Sequence, residues 1–223
     1  MAHVEIFSAE VCPYAHRTRL ALLEKGVDFT LTEIDLKNKP SWFKDVSPYG
    51  KVPSVRVGKD IVYESAIVNE YIDEAFPDPP MMPKDPARRA LARVWIDFCN
   101  TRLNVATYGL LRALDAETQA RLSGELDGHL RFMETEGFAR MGPGPYWMAE
   151  GITLVDVAYY PSFERFCNIE HYRGYRIPRD CVRLQAWIAA MRARPSVASI
   201  AHPADFYIKR AAAYALPQKA AAE

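Results

Sequence analysis

The sequence predicts a mixed α/β domain followed by an all-helical one. Three observations carry that reading. Residues 4–76 run strand, helix, strand, short helix, strand, strand, helix, an order satisfied by a four-stranded mixed sheet with helices against it. Residues 77–86 then hold five prolines in ten positions, which neither a helix nor a central strand tolerates. Beyond them the apolar period is helical almost throughout. The expected division is 1–77, a linker over 78–86, and 87–223.

Each element has its own signal. Val4-Glu5-Ile6-Phe7 has strand character, and a helix-forming run from Pro13 to Lys25 closes on Gly26 as a C-terminal cap. Val27, Phe29 and Leu31 alternate with polar residues as in a half-buried strand. Ile34 and Leu36 change parity, ending or bulging that strand near Glu33. The polar, proline-punctuated stretch that follows has room for one short helix around Trp42. Ser54-Val55-Arg56-Val57 and Ile61-Val62-Tyr63 flank Gly58-Lys59-Asp60, a hairpin with a three-residue loop. Ser65 is placed to cap a helix with Ile67, Val68, Tyr71, Ile72 and Ala75 at helical spacing.

In the helical part, Asp85 caps and Pro86 opens a long helix, with Leu91, Val94, Trp95, Phe98 and Cys99 on one stripe. Asp115 opens the next, which Gly142-Pro143-Gly144-Pro145 breaks. Thr153-Leu154-Val155-Asp156 reads as a capping box for a helix containing Pro161. Further helices are expected from Leu184, stopped by Pro195, and from Ala204 to Leu216, with a frayed tail from Pro217.

Composition narrows the function. At 223 residues, nearly half apolar and a quarter charged, the chain is long enough for a sizeable core. Lys+Arg and Asp+Glu both total 28, so there is no electrostatic footprint for nucleic acid or an anionic membrane. The start lacks the pattern of a signal peptide and no apolar run would span a bilayer, so a cytoplasmic protein is expected. Cys12, Cys99, Cys167 and Cys181 are irregularly spaced and read as free thiols in a reducing compartment. No Cys/His cluster has metal-ligand spacing.

The chemistry centres on Cys12. Proline at the first helical position costs no hydrogen bond, so Cys12-Pro13 puts the cysteine at the N-cap. There the sulfur faces the free N–H groups and the positive end of the helix dipole. Both favour thiolate, and the expectation is a thiol titrating near neutrality, about 7 against ~8.5 for a free cysteine. A buried cysteine that merely fills space is the plain alternative. His16, Arg17 and Arg19 could add positive charge, although helix geometry favours a solvated face for them.

Lys51-Val52-Pro53-Ser54 enters the hairpin. A proline opposite a reactive cysteine can be cis and turn the Val52 main chain towards the sulfur. Spacing alone favours a trans proline that only opens the strand. Ser65 at a helix N-terminus suits a carboxylate and Glu64 an ammonium, which together describe an amino-acid head group. Simple capping by Ser65 is compatible with this.

Together these motifs resemble the cytosolic glutathione transferases, most closely the omega-like, cysteine-type members. Cys12-Pro13-Tyr14-Ala15 is similar to their Cys-Pro-Phe-Ala motif and to the glutaredoxin Cys-Pro-Tyr-Cys without its second cysteine. Val52-Pro53 resembles the family's Val–cis-Pro pair, and Glu64-Ser65 its pair for the γ-glutamyl group. Lys39 falls where omega members hold the glutathione glycine carboxylate. Thr153 with Asp156, and Leu184-x-x-Trp187 to Arg194-Pro195-Ser196, resemble two signatures of the helical domain.

The resemblance implies a thioredoxin-like N-terminal domain, an all-α C-terminal domain and a homodimer. It also implies glutathione as co-substrate, without metal, held by Tyr14, Lys39, Val52, Pro53, Glu64 and Ser65. Cys12 would be the nucleophile of a thiol transferase. Tyr108, Leu111, Phe163 and Phe166 lie where the family lines its second-substrate site, although aromatics at helical spacing also suit a core. With Ala15 in place of a second cysteine, the oxidised form would be a mixed disulfide with glutathione. The same site could instead reduce dehydroascorbate or remove glutathione from a conjugate. A non-enzymatic alternative is a stringent-starvation-like protein binding RNA polymerase, which the stretch over residues 71–83 also resembles. Retention of Cys12-Pro13 argues against it.

Overall fold

The computed structural model describes residues 3–148 and 151–217; the expected frayed tail lies, from residue 218 on, outside the described residues. Four strands form one sheet in the order β2-β1-β3-β4. They are β1 (Val4–Ser8), β2 (Phe29–Glu33), β3 (Ser54–Val57) and β4 (Asp60–Tyr63). β1 pairs parallel with β2, Val4 opposite Phe29, and antiparallel with β3, Val4 opposite Val57. The parallel pair is joined by α1 (Pro13–Glu24), and the sheet is completed by α2 (Phe43–Val46) and α3 (Ser65–Ala75). This is the thioredoxin-like arrangement.

The two-residue period of β1 divides the core between the sheet faces. Val4 and Ile6 pack with Leu22, Val55, Val57, Val68 and Ile72 under α1 and α3. Phe7 faces the other way, with Ala9, Ala15, Ile34, Phe43, Val46 and Val52, and Cys12 rests on that cluster.

The helical part holds α4 (Pro86–Phe98), α5 (Asn104–Arg112), α6 (Ala116–Phe132), α7 (Ala139–Met141), α8 (Leu154–Glu164), α9 (Phe166–Arg173), α10 (Val182–Arg192), α11 (Pro195–Ile200) and α12 (Ala204–Ala215). Asp85 and Asp115 cap α4 and α6 through the N–H groups of Arg88 and Thr118, both at 2.8 Å. The expected box at Thr153 forms: Asp156 accepts from the Thr153 N–H at 2.8 Å. Two π-helical turns, Cys99–Leu103 and Met133–Phe138, extend α4 into α5 and α6 into α7. Among the described residues no helix is long and apolar enough to cross a membrane.

Several expectations need correction. β2 is an edge strand, so Leu31 stands exposed rather than half-buried. The hairpin loop has two residues, because Asp60 pairs with Val57. Gly58 at φ +59° and Lys59 at negative φ fit a type II′ turn. Pro195 opens a helix of its own rather than only stopping one. On α4 the stripe divides, with Trp95 and Cys99 buried and Leu91 and Val94 exposed.

The largest correction concerns α1. His16, Arg17 and Arg19 are all buried, not solvated. The helix is covered twice: by the sheet and α3 on one side, and by α8 and α11 on the other. Leu20 and Ala21 accordingly belong to the helical core. Glu24 joins the two halves, accepting from Arg194 Nε at 2.6 Å and Nη2 at 2.5 Å, and from the Ser196 hydroxyl. The Arg194-Pro195-Ser196 signature is thereby given a physical role.

Candidate active site

Cys12 occupies the N-cap of α1 in an extended conformation (φ −81°, ψ 119°), with Pro13 as the first helical residue. Its sulfur lies 3.8 Å from the Val52 carbonyl oxygen, to which the thiol donates. The peptide bond between Val52 and Pro53 is cis, as the family resemblance implies. The backbone N–H groups of Ala15 and Tyr14 favour the thiolate, as do the positive charges of Arg165 and Arg17.

Burial nevertheless outweighs these groups and pushes the Cys12 thiol above its ordinary value. The expectation of near-neutral titration is thus corrected. The helix N-terminus favours thiolate as the motif suggests, but the packing of Cys12 on the Phe7 cluster costs the charged form more.

A cavity of about 420 Å³ opens against Val52, whose carbonyl meets the Cys12 sulfur, while Cys12 itself is not part of the lining. Tyr14, Val52, Pro53, Glu64 and Ser65 line it, so five sequence-expected residues come together here. Glu64 sits in the N-cap position of α3 at φ +70°, the left-handed region, and is the one non-glycine residue there among the described residues. Ser65 is therefore the first residue of α3 and not its cap, and the Glu64 side chain in the cap position makes no capping bond. Lys39 does not join this group. It is exposed on the loop before α2 and lies outside the lining.

Sequence reasoning missed Ser47, Tyr49, Lys51, Tyr63, Ala66 and Asn100, which complete the lining. The Ser47 hydroxyl donates to the Lys51 carbonyl at 2.6 Å and accepts from its N–H at 3.0 Å, closing the loop before the cis bond. The Tyr49 and Tyr63 rings meet edge to face at 5.0 Å. A serine four residues before Lys51 is the only local signal of that closure. Asn100, 35 residues beyond Ser65, has none.

The expected second-substrate residues separate. Phe163 and Phe166 stack at 4.6 Å and line a second cavity of about 790 Å³ with Glu164, Cys167, Tyr175 and His202. Leu111 is buried in the helical core, its carbonyl accepting from Arg173 at 2.6 Å. Tyr108, whose phenol burial pushes upward, is also outside the second cavity. His16, beneath Cys12, is held neutral by burial and by Arg165 and Arg19. Its 3.4 Å contact with Glu164 is consequently not an ion pair. Among the described residues no cluster of His, Cys, Asp and Glu could hold a metal ion.

Comparison with known proteins agrees with this geometry. Residues 11–75 match the family described as "Glutathione S-transferase, N-terminal domain". Omega-1 glutathione S-transferase of Sus scrofa is 31% identical over 204 residues, covering 88% of this chain and 80% of that protein. Omega-2 of Homo sapiens is 32% identical over 205 residues, covering 88% and 79%. Among solved structures, glutathione transferase Omega 3C of Trametes versicolor superposes with a TM-score of 0.83 at 27% identity, covering 91% of this chain and 90% of that one. A rice glutathione transferase solved in complex with glutathione gives 0.85 at 27% identity, covering 95% and 96%. With the fold, the cysteine at the helix start and the lined cavity beside it, this chain belongs to the glutathione transferase family and is omega-like within it.

Proposed function

We propose that the protein is a cysteine-type glutathione-dependent thiol transferase. The 3.8 Å approach of the Cys12 sulfur to the Val52 carbonyl, at the edge of the 420 Å³ cavity, is the observation that carries this. A glutathione seated along Val52 brings its sulfur to Cys12. The Val52 main chain takes the cysteinyl unit in strand fashion. Glu64 takes the γ-glutamyl ammonium, and Ser65 with the α3 N-terminus its carboxylate. Lys39, on its exposed loop, supplies a charge for the glycine carboxylate. Tyr14 and Ala15 N–H groups stabilise the Cys12 thiolate.

The reaction is two exchanges. The Cys12 thiolate attacks the glutathione sulfur of a mixed disulfide; a Cys12–glutathione bond forms, the substrate S–S bond breaks, and the other thiol leaves as thiolate and takes a proton. A glutathione thiolate then attacks the Cys12–glutathione bond, releasing oxidised glutathione and restoring Cys12. The burial that disfavours the thiolate makes the first step faster as pH rises. Tyr108, Leu111, Phe163 and Phe166 are the residues assigned to the second substrate, with Phe163 and Phe166 best supported because they line open space.

The division at 78–86 separates a glutathione-binding domain from the helical one. A homodimer is supported by the exposed apolar residues Ile67 on α3 and Leu91 and Val94 on α4, around the Arg93–Glu70 pair that links those helices. A reducing cytoplasm suits four free thiols.

The test compares disulfide exchange with conjugation to an aryl halide in wild type and Cys12→Ser. The proposal expects exchange to dominate in wild type and to vanish in the variant, since a hydroxyl forms no mixed disulfide. Exchange retained in Cys12→Ser, or conjugation dominating in wild type, contradicts it.

A further inference from the structure

Arg17 is 2% exposed and reaches from α1 to both halves of the molecule. Its Nη1 donates to the Asn100 side-chain oxygen at 2.7 Å and to Ser65 Oγ at 3.4 Å; its Nη2 donates to Cys99 Sγ at 3.4 Å. The guanidinium also covers the Tyr14 ring at 4.8 Å. Ser65, Tyr14 and Asn100 all line the cavity beside Cys12. Asn100 comes from the helical half, on the π-helical turn Cys99–Leu103. Such turns recur at functional sites because they re-aim side chains that a regular helix would present elsewhere.

A guanidinium only donates. The bond to Arg17 therefore fixes the Asn100 amide with its oxygen towards the arginine, leaving the NH₂ for the cavity. That NH₂ makes no hydrogen bond within the described residues and is not among the buried, unsatisfied atoms. The same logic applies to Ser65: its oxygen accepts from Arg17, so its hydrogen is free to be donated. Ala66, also in the lining, belongs to the first turn of α3, whose N–H groups precede the first intrahelical bond, from Val68 to the Glu64 carbonyl at 2.8 Å. Hydroxyl, amide and helix N–H groups thus converge as donors with a buried cation behind them, the arrangement a carboxylate needs.

Resting on the glutathione reading above, we propose that Asn100 is a further glutathione-binding residue, donating its side-chain N–H to the γ-glutamyl carboxylate. Arg17 is the positioning residue that orients both Asn100 and Ser65. A hydrogen bond to a charged group corresponds to about tenfold or more in affinity.

The experiment titrates calorimetrically two ligands, glutathione and 4-aminobutyryl-cysteinyl-glycine, which keeps the amine but lacks the carboxylate. The proteins are wild type, Ser65→Ala, Asn100→Ala and Asn100→Asp. Asn100→Asp keeps an oxygen to accept from Arg17 but offers the ligand no donor. Both Asn100 variants are expected to weaken glutathione about tenfold or more while leaving the analogue within about twofold. Equal losses for both ligands, or none for either, overturn the assignment. If wild type binds glutathione and Ser65→Ala weakens it while the Asn100 variants do not, this inference alone falls. If wild type binds no glutathione, the reading beneath it falls as well.

Discussion

Replacing Asp156 by alanine removes an acceptor shared by four donors in the helical core. Its carboxylate accepts from the N–H groups of Trp147 and Thr153 at 2.8 Å, and from the Thr153 hydroxyl and Trp187 Nε1 at 2.7 Å. The residue is fully buried. Alanine strands three N–H donors that cannot turn away, at about 1–3 kcal/mol each. The Thr153 hydroxyl can rotate and loses less. Against this loss stands the cost of burying the carboxyl, which holds Asp156 above the usual carboxylate range despite its donors. The net destabilisation is about 3–5 kcal/mol, the lower part of what three stranded donors would cost together. For a chain of this size that lowers the melting temperature by roughly 10 °C. Urea unfolding followed by tryptophan fluorescence reports it directly, since Trp147 and Trp187 are both partners. A loss below about 1 kcal/mol would refute the claim that the capping box anchors α8, the helix that covers α1.

Glu24→Ala breaks the part-buried link to Arg194 and Ser196, and should cost about 2–3 kcal/mol in the same unfolding assay; a loss under 1 kcal/mol would contradict the inter-half role of Glu24. His16 is held neutral in the fold, so its contribution is intact above ~6.5 and is lost as pH falls and the unfolded chain takes up the proton. His16→Gln should flatten stability against pH between about 6.5 and 5, and an unchanged slope would argue against the buried neutral state. Ala15→Cys places a second sulfur three positions from Cys12, within disulfide reach. Mild oxidation should give an internal bridge and suppress glutathionylation, and mass spectrometry showing neither would contradict the placement of Cys12 at the helix start. Iodoacetamide alkylation of Cys12 should have its midpoint above the ~8.5 of a free thiol, because burial disfavours the charge; a midpoint near 7 would restore the motif-based expectation.

What could be read from the chain beforehand was local. Cys12-Pro13 at a helix start, Asp85 and Asp115 as caps, and the Thr153 box each depend on residues within one turn. The existence of the strands follows from local apolar runs and alternation, whereas their order in the sheet does not. What could not be read depends on parts of the chain far apart. His16, Arg17 and Arg19 look like a solvated face because α1 alone offers no sign that α8, some 140 residues on, will cover it. The raised Cys12 thiol has the same origin, since the N-cap position is visible in sequence and the desolvation around it is not. Asn100 is concealed by a π-helical turn that has no sequence signature. Glu64 at φ +70° displaces Ser65 from the cap by one residue, a shift that spacing arguments do not resolve.

In the proposed exchange Cys12 itself becomes the carrier of glutathione. Incubating the protein with oxidised glutathione, then measuring intact mass and mapping the modified peptide, tests this most directly. The expected result is one glutathione per chain, on the peptide containing Cys12, released by reduced glutathione and absent in Cys12→Ser. An unmodified Cys12 would contradict it, as would a glutathione carried on Cys167 in its place.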